Sequence, residues 1–252
     1  MDRSFLTDKN VVAASRKFVC IRLATYEDKS ESQFLKRLYV GRSGQMENTT
    51  FAILSPNAKR TIVSAGRGPF RAFRDANEMA RQMNTISSKF TNEGHVGSAL
   101  PTMKSVELAL NVAASDNLPL IITVNDSSGE FEKSLLDTVW QTSYAGQFVF
   151  AEAKKASDLN PVPGAEFTTG LLVVEPDQFG VVGTTKAHFS TPPTEMELLK
   201  TLQKIVADHP RKTKNHRNHT QLGIRLGMDW QTAIPVTDRQ SIQAKKRARG
   251  IR

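Results

Sequence analysis

By type and spacing, the residues best placed to do chemistry are two serines, three histidines, one cysteine and a glycine pair. Ser127 and Ser128 follow an apolar run that ends at Val124 and precede Gly129-Glu130. A hydroxyl at such a strand-to-helix turn can be a nucleophile, but the nucleophile elbow needs Gly-x-Ser-x-Gly and a histidine to activate it. Neither stands here, and Ser127-Ser128-Gly129-Glu130 reads as a capping box. His209, His216 and His219 lie close together in the chain. Metal ligation would need their imidazoles neutral and fixed in geometry, and their basic surroundings read as a flexible segment. Gly66-Arg67-Gly68-Pro69 could hold an anion through Arg67 and the backbone N–H of Gly68 where a helix begins, with a plain turn as the competing reading. Cys20 is the only cysteine. That excludes an intramolecular disulfide, a CxxC pair and a cysteine zinc cluster in this chain. Cys20 lies in Phe18-Val19-Cys20-Ile21-Arg22-Leu23, which is rich in strand formers, so it is expected to be a small buried hydrophobe without reactivity. No cofactor signature is read, and no catalytic or metal residue is assigned.

The net charge of +9 is a local property. Residues 211–252 carry eleven Lys or Arg against Asp229 and Asp238, a surplus of nine, so the chain before them is neutral. Arg211, Lys212, Lys214, Arg217, Lys245, Lys246, Arg247 and Arg249 are candidate contacts for a nucleic acid or an anionic surface. Such clusters attract polyanions without reading sequence. Only Trp230 is available there for base stacking. A solvated tail over 210–252 with weak, nonspecific polyanion affinity is the expectation. Within it, Leu222 to Trp230 holds enough apolar residues to dock on the body or on a partner.

These residues need elements to position them. A chain of 252 residues with 39% hydrophobic and 23% charged content can bury a core. No run approaches the ~20 apolar residues of a membrane span, and the opening Met1-Asp2-Arg3-Ser4-Phe5 has no leader pattern, so the compartment stays open. Periodicity predicts helix over 7–17, strand over 18–25 and helix over 31–39. A hairpin follows from Thr49–Leu54 and Arg60–Ala65, with a long helix over 70–90. Thr91 to Pro101, with Gly94, Gly97 and Pro101, reads as a boundary. A second cycle then predicts helix over 103–114, strand over 118–124, helix from the Ser127 box to about Thr142 and strand over 147–153. After a Pro/Gly connector come a hairpin from 168–174 and 181–189 across Glu175-Pro176-Asp177 and a helix from the Thr194 capping box to about Ala207.

The two cycles correspond. Phe18-Val19-Cys20-Ile21 answers Phe148-Val149-Phe150-Ala151, and Thr49-Thr50-Phe51-Ala52-Ile53-Leu54 answers Thr168-Thr169-Gly170-Leu171-Leu172-Val173. The offsets of 130 and 119 differ by a loop, so the duplication is degenerate.

Strand, helix, strand, helix, then a hairpin and a terminal helix is the order of the thioredoxin fold; the second half resembles it from Leu118 to about Asp208, the first half resembles its later portion, and the pattern covers most of residues 4 to 208. The resemblance implies an α/β chain: two three-layer thioredoxin-like domains in tandem, over 1–92 and 101–209, with a basic tail. In that family a dithiol opens the helix after the first central strand; here Asp126-Ser127-Ser128-Gly129 stands there. The family's cis-proline would fall at Asn48 and Phe167, neither of them proline. The first domain is also incomplete, because residues 1–6 cannot supply a central strand and its helix. The expected function is a redox-inactive binding or scaffold protein for protein or peptide, like the non-catalytic domains of protein disulfide isomerases. Its alternatives are the C-terminal portion of a thiol–disulfide oxidoreductase whose CxxC lies upstream, and a polyanion-binding protein acting through the tail.

Overall fold

The computed structural model describes residues 4–41, 44–46, 50–66, 68–90, 99–140, 144, 146–209, 215–228 and 232–248, and it divides into two units. One combines Met1–Glu93 with Asp229–Arg252; the other is Gly94–Met228.

In the first unit, aspartates start the helices. The Asp8 carboxylate accepts the N–H groups of Asn10 and Val11 at the start of α1 (Lys9–Ser15), and Asp28 does the same for Ser30 and Glu31 at α2 (Lys29–Leu38). Each bond satisfies an N–H group that has no partner within the helix. Strands β1 (Phe51–Leu54) and β2 (Thr61–Gly66) form the expected antiparallel hairpin, and Asp75 caps α3 (Ala76–Ser87). Val11 and Ala14 of α1, Ile53 of β1, and Met79, Met83 and Ile86 of α3 share one buried cluster, onto which Phe18 and Phe51 pack.

Two expectations fail in this unit. Residues 18–25 form no strand, since no described strand lies beside them, and a strand persists only when its backbone is paired. The predicted helix over 70–90 is shorter: Pro69–Arg71 make a single 3-10 turn, Phe73 turns inward to 3% exposure, and the helix starts only after Asp75.

The second unit is a five-stranded mixed sheet. Its strands are β3 (Thr102–Met103), β4 (Leu120–Val124), β5 (Val149–Ala153), β6 (Gly170–Pro176) and β7 (Gly183–Phe189), in the spatial order β3-β5-β4-β6-β7. Strand β5 runs parallel to β3 and β4; β6 runs antiparallel to both β4 and β7. Helices α4 (Val106–Asp116), α5 (Glu130–Val139) and α6 (Glu195–Asp208) cover it. Because strand side chains alternate between faces, Leu120, Ile122 and Val124 join Ala109, Leu110 and Ala113 of α4 in one cluster. Ile121 faces the other way and joins Phe131 and Leu135 of α5 and Leu198 and Leu202 of α6. A strand buried on both faces has to be almost wholly apolar, and β4 is, with Thr123 its one polar residue.

Local chemistry sets the ends of these elements. Thr194 and Glu197 form the expected capping box at α6. The box expected at Ser127 does not form: Gly129, at φ 71°, occupies the cap position, and Asp126 Oδ2 accepts the Glu132 N–H at 2.9 Å instead. A carboxylate is the stronger acceptor for that job. The hairpin turn lies later than expected, because Glu175 and Pro176 stay in β6, paired with Thr184 and Gly183. Asp177 Oδ1 then accepts the N–H groups of Val181 and Val182. Gly180 has φ +69°, and a Cβ there would meet the Asn111 Cα at 2.5 Å, so only glycine fits. Met103, expected to open a helix, instead ends a short edge strand.

Within the segment expected to be a flexible tail, the described residues 215–228 and 232–248 each carry a helix. Helix α7 (His216–Arg225) belongs to the second unit, where the His219 ring stacks on Phe179 at 4.6 Å. Helix α8 (Arg239–Ala248) belongs to the first, held by residues 232–238. There the Ile234 N–H donates to the Tyr26 carbonyl at 3.1 Å, Thr237 Oγ1 donates to the Met46 carbonyl at 3.0 Å, and the Asp238 N–H donates to Tyr26 Oη at 3.0 Å. Ile234 and Val236 pack onto Tyr26, Leu35 and Met46. The C-terminal region is thus divided between the two units at Met228 and Asp229. Among the described residues no helix is long and apolar enough to cross a membrane.

Ile122 is fully buried in the central strand. Ile122→Ala is expected to lower stability by about 3 kcal/mol, the usual cost of a large aliphatic deletion in a core. Urea denaturation followed by circular dichroism measures it; a midpoint equal to wild type would remove β4 from its central role.

Candidate functional site

In open α/β sheets, ligands collect at the carboxyl ends of parallel strands. That end of β3, β4 and β5 has a small pocket of ≈ 90 Å³ lined by Thr102, Thr123, Asp126, Glu132 and Glu152. Drug-sized ligand sites run to ~300–1,000 Å³, so this one has room for only a few waters. Its carboxylates are already engaged. Asp126 caps α5, Glu132 Oε1 accepts the Leu100 N–H at 3.2 Å, and Glu152 pairs with Lys154 at 3.1 Å. Thr123 Oγ1 lies 3.5 Å from the Ala151 carbonyl.

At the same turn Ser127 and Ser128 are exposed. Ser128 Oγ is 3.4 Å from both Asp126 Oδ1 and the Glu130 N–H. Those are the contacts of a helix start, and no histidine ring among the described contacts reaches either hydroxyl.

The other sequence candidates are dispersed. His209 Nε2 lies 3.0 Å from the Asn117 carbonyl, while His219 stacks on Phe179. Among the described residues no three His, Cys, Asp or Glu side chains converge as metal ligands. Arg67 lies outside the described residues. Gly68 is buried and precedes a three-residue turn rather than a helix, with the Arg71 N–H donating to its carbonyl at 3.1 Å. The helix start expected to face an anion is absent there.

Of the basic candidates, Arg217 is exposed on α7, and Lys245, Lys246 and Arg247 are exposed in the last turn of α8. Cations in a last turn also suit the helix macrodipole. Arg211, Lys212, Lys214, Trp230, Asn48, Arg249 and the 91–98 boundary lie outside the described residues.

Cys20 departs most from expectation. The residue is exposed rather than buried, in a segment with no secondary structure. Its sulfur is partly covered and sits 3.7 Å from the Ser15 carbonyl. That covering disfavours the thiolate and pushes the thiol pKa up, with the contact to Ser15 opposing it more weakly. An exposed cysteine without an electropositive neighbour to lower its pKa is a slow nucleophile.

One open site was missed by the sequence reading. It is a groove of ≈ 510 Å³ between α1 and α3, where Asn10 Nδ2 donates to Asn77 Oδ1 at 3.1 Å and Lys17 Nζ donates to Asn84 Oδ1 at 2.8 Å. Residues seven apart share a helix face, so the pairs 10/17 and 77/84 were the available signal. The amides bond to their partners across the groove, leaving Arg81 on its wall.

Compared with known proteins, the chain matches no family model, no curated protein and no solved structure.

The raised thiol pKa predicts that iodoacetamide alkylation of Cys20 rises with pH later than that of an unstructured cysteine peptide measured alongside. A titration at or below the peptide's would show an activated thiol.

Proposed function

We propose that the chain is a binding protein of thioredoxin-like architecture that performs no thiol–disulfide exchange of its own. The support for the architecture lies in the second unit. Its β3-α4-β4-α5-β5 order, its closing hairpin and α6, and its β3-β5-β4-β6-β7 arrangement follow the order of that fold. The first unit repeats the later portion: α1, the 18–23 segment, the β1–β2 hairpin and α3.

The observation that carries the functional half is the handover from β4 to α5. Where a thioredoxin-like enzyme needs a thiol at a helix N-terminus, this unit has the Asp126 carboxylate bonded to the Glu132 N–H. A carboxylate there can neither attack a disulfide nor carry electrons. The pocket beside that turn is too small for a drug-sized ligand, which supports recognition across a surface, with protein or peptide as the fitting class of partner.

The full chain is expected to leave insulin reduction by dithiothreitol at its uncatalysed rate, and to bind a reduced, carboxymethylated protein with micromolar affinity in fluorescence anisotropy. Insulin turnover would overturn the non-catalytic half of the reading, and flat anisotropy would overturn the binding half.

One observation favours polyanion binding as a second reading. Residues 232–238 fix the start of α8, so Lys245, Lys246 and Arg247 form a held cluster rather than a loose one. On heparin the chain is expected to elute at a salt concentration that falls when all three are replaced by alanine. Identical elution of the triple variant would end this reading.

A further inference from the structure

Segment Phe18–Leu23 is packed at both ends, with two exposed apolar side chains between them. Phe18 packs onto the cluster formed by α1, β1 and α3, and Leu23 packs onto Tyr26, Leu35 and Met46. Between them Val19 is 79% exposed and Ile21 is 64% exposed. Neither residue makes a hydrogen bond among the described residues, through backbone or side chain. Single exposed apolar side chains are ordinary on a surface. Two of them two residues apart, each with an unbonded backbone N–H and carbonyl, have the makings of an unpaired strand edge.

The other unit has a partner where this one does not. Its helices α5 and α6 pack through Leu135 and Leu198 onto Leu171 and Val173 of β6, as α1 and α3 pack through Val11 and Met79 with Ile53 of β1. In that arrangement β5 is the counterpart of 18–23, by the match of Phe148-Val149-Phe150-Ala151 to Phe18-Val19-Cys20-Ile21. Strand β5 is paired on both edges, and one neighbour is β4, which lies between β5 and the hairpin and is buried on every residue. The first unit has a counterpart for β5, for the hairpin and for the helix pair, and none for β4 among the described residues.

We propose that Phe18–Leu23 accepts an added β-strand from another polypeptide, an extended peptide apolar on both faces that lies parallel to it as β4 lies beside β5. This rests on the binding-protein reading and names the class of ligand. Main-chain hydrogen bonds to Val19 and Ile21 would supply affinity, and burial of the two exposed side chains would add the apolar term. The segment's fixed ends lower the ordering cost. The parallel direction also excludes a second copy of this edge as the occupant, because two identical edges related by a two-fold axis meet antiparallel.

The test uses the full chain and a synthetic peptide carrying Leu118–Asn125 of its own β4, with lysines added at both ends for solubility. Hydrogen exchange read by mass spectrometry is expected to slow at least about tenfold over residues 19–23 when the peptide is added. Ile21→Pro, which deletes a donor at an exposed position, is expected to weaken binding about tenfold or more while leaving the urea midpoint of the chain in place. Cys20→Ser is expected to bind as wild type does. Absence of protection over 19–23, or equal affinity of Ile21→Pro and wild type, would overturn the proposal. Protection that appears without peptide and grows with protein concentration as the sedimenting mass doubles would overturn it too, in favour of self-pairing. If Ile21→Pro binds the carboxymethylated protein as well as wild type does, and 19–23 stay unprotected in that complex, this inference falls while the binding-protein reading stands; loss of both probes by the wild-type chain removes both.

Discussion

The second unit depends on one strand that has water on neither face. Strand β4 pairs on one side with β5 and on the other with β6, and its side chains sort alternately into the two buried layers. Every other choice in that unit follows from the sorting. Helix α4 presents Ala109, Leu110 and Ala113 to the Leu120–Ile122–Val124 face; α5 and α6 present Phe131, Leu135, Leu198 and Leu202 to the Ile121 face. Gly183 on β7 is a glycine because a Cβ would meet Val174 Cγ1 at 2.4 Å, under the same layer. A polar side chain in β4 would have to be buried without water, and Thr123, the one exception, reaches towards a carbonyl. The first unit works under a weaker constraint. A two-stranded hairpin is marginal by itself, and this one is held by α1 and α3 packing on a single face.

The same economy explains the quiet chemistry of the turn after β4. A helix N-terminus offers unpaired N–H groups and a positive dipole end, and either a reactive anion or a capping carboxylate can use them. Asp126 uses them for capping, and Glu132, one turn on, is drawn into a bond to the Leu100 backbone. With its carboxylates committed to holding backbone groups and its space limited to a few waters, the turn is a structural joint. This is why Ser127 and Ser128, exposed beside it, have contacts fitting a helix start and none fitting catalysis.

How much of this was legible depends on whether the signal was local. The apolar run 118–124, the hairpins and the Thr194 capping box are written in neighbouring residues, and they sit within a few positions of where the sequence puts them. The cap at α5 was misassigned from serine to glycine and aspartate, because Gly129 at φ 71° takes the cap position and the carboxylate reaches past it. The tail was read as solvated from its charge. Its order comes instead from residues 191 and 212 positions away, through Thr237 to Met46 and Asp238 to Tyr26, which no window of sequence contains. The groove between α1 and α3 was missed for the same reason, since each helix shows one Asn and one basic residue or two Asn on a face and nothing says that the faces meet.

One disagreement between sequence and structure is of a different kind. At α5 and in the tail, tertiary contacts explain what local propensity got wrong. At Phe18–Leu23 they do not: the residues are strand formers, yet they form no strand, and Val19 and Ile21 face solvent. Folded proteins usually have local preference and global packing in agreement, and a persistent conflict tends to sit at a functional site. Nothing within the described unit relieves this one, and the side chains left outside are the type a neighbouring strand would cover. The added strand proposed above would satisfy that preference.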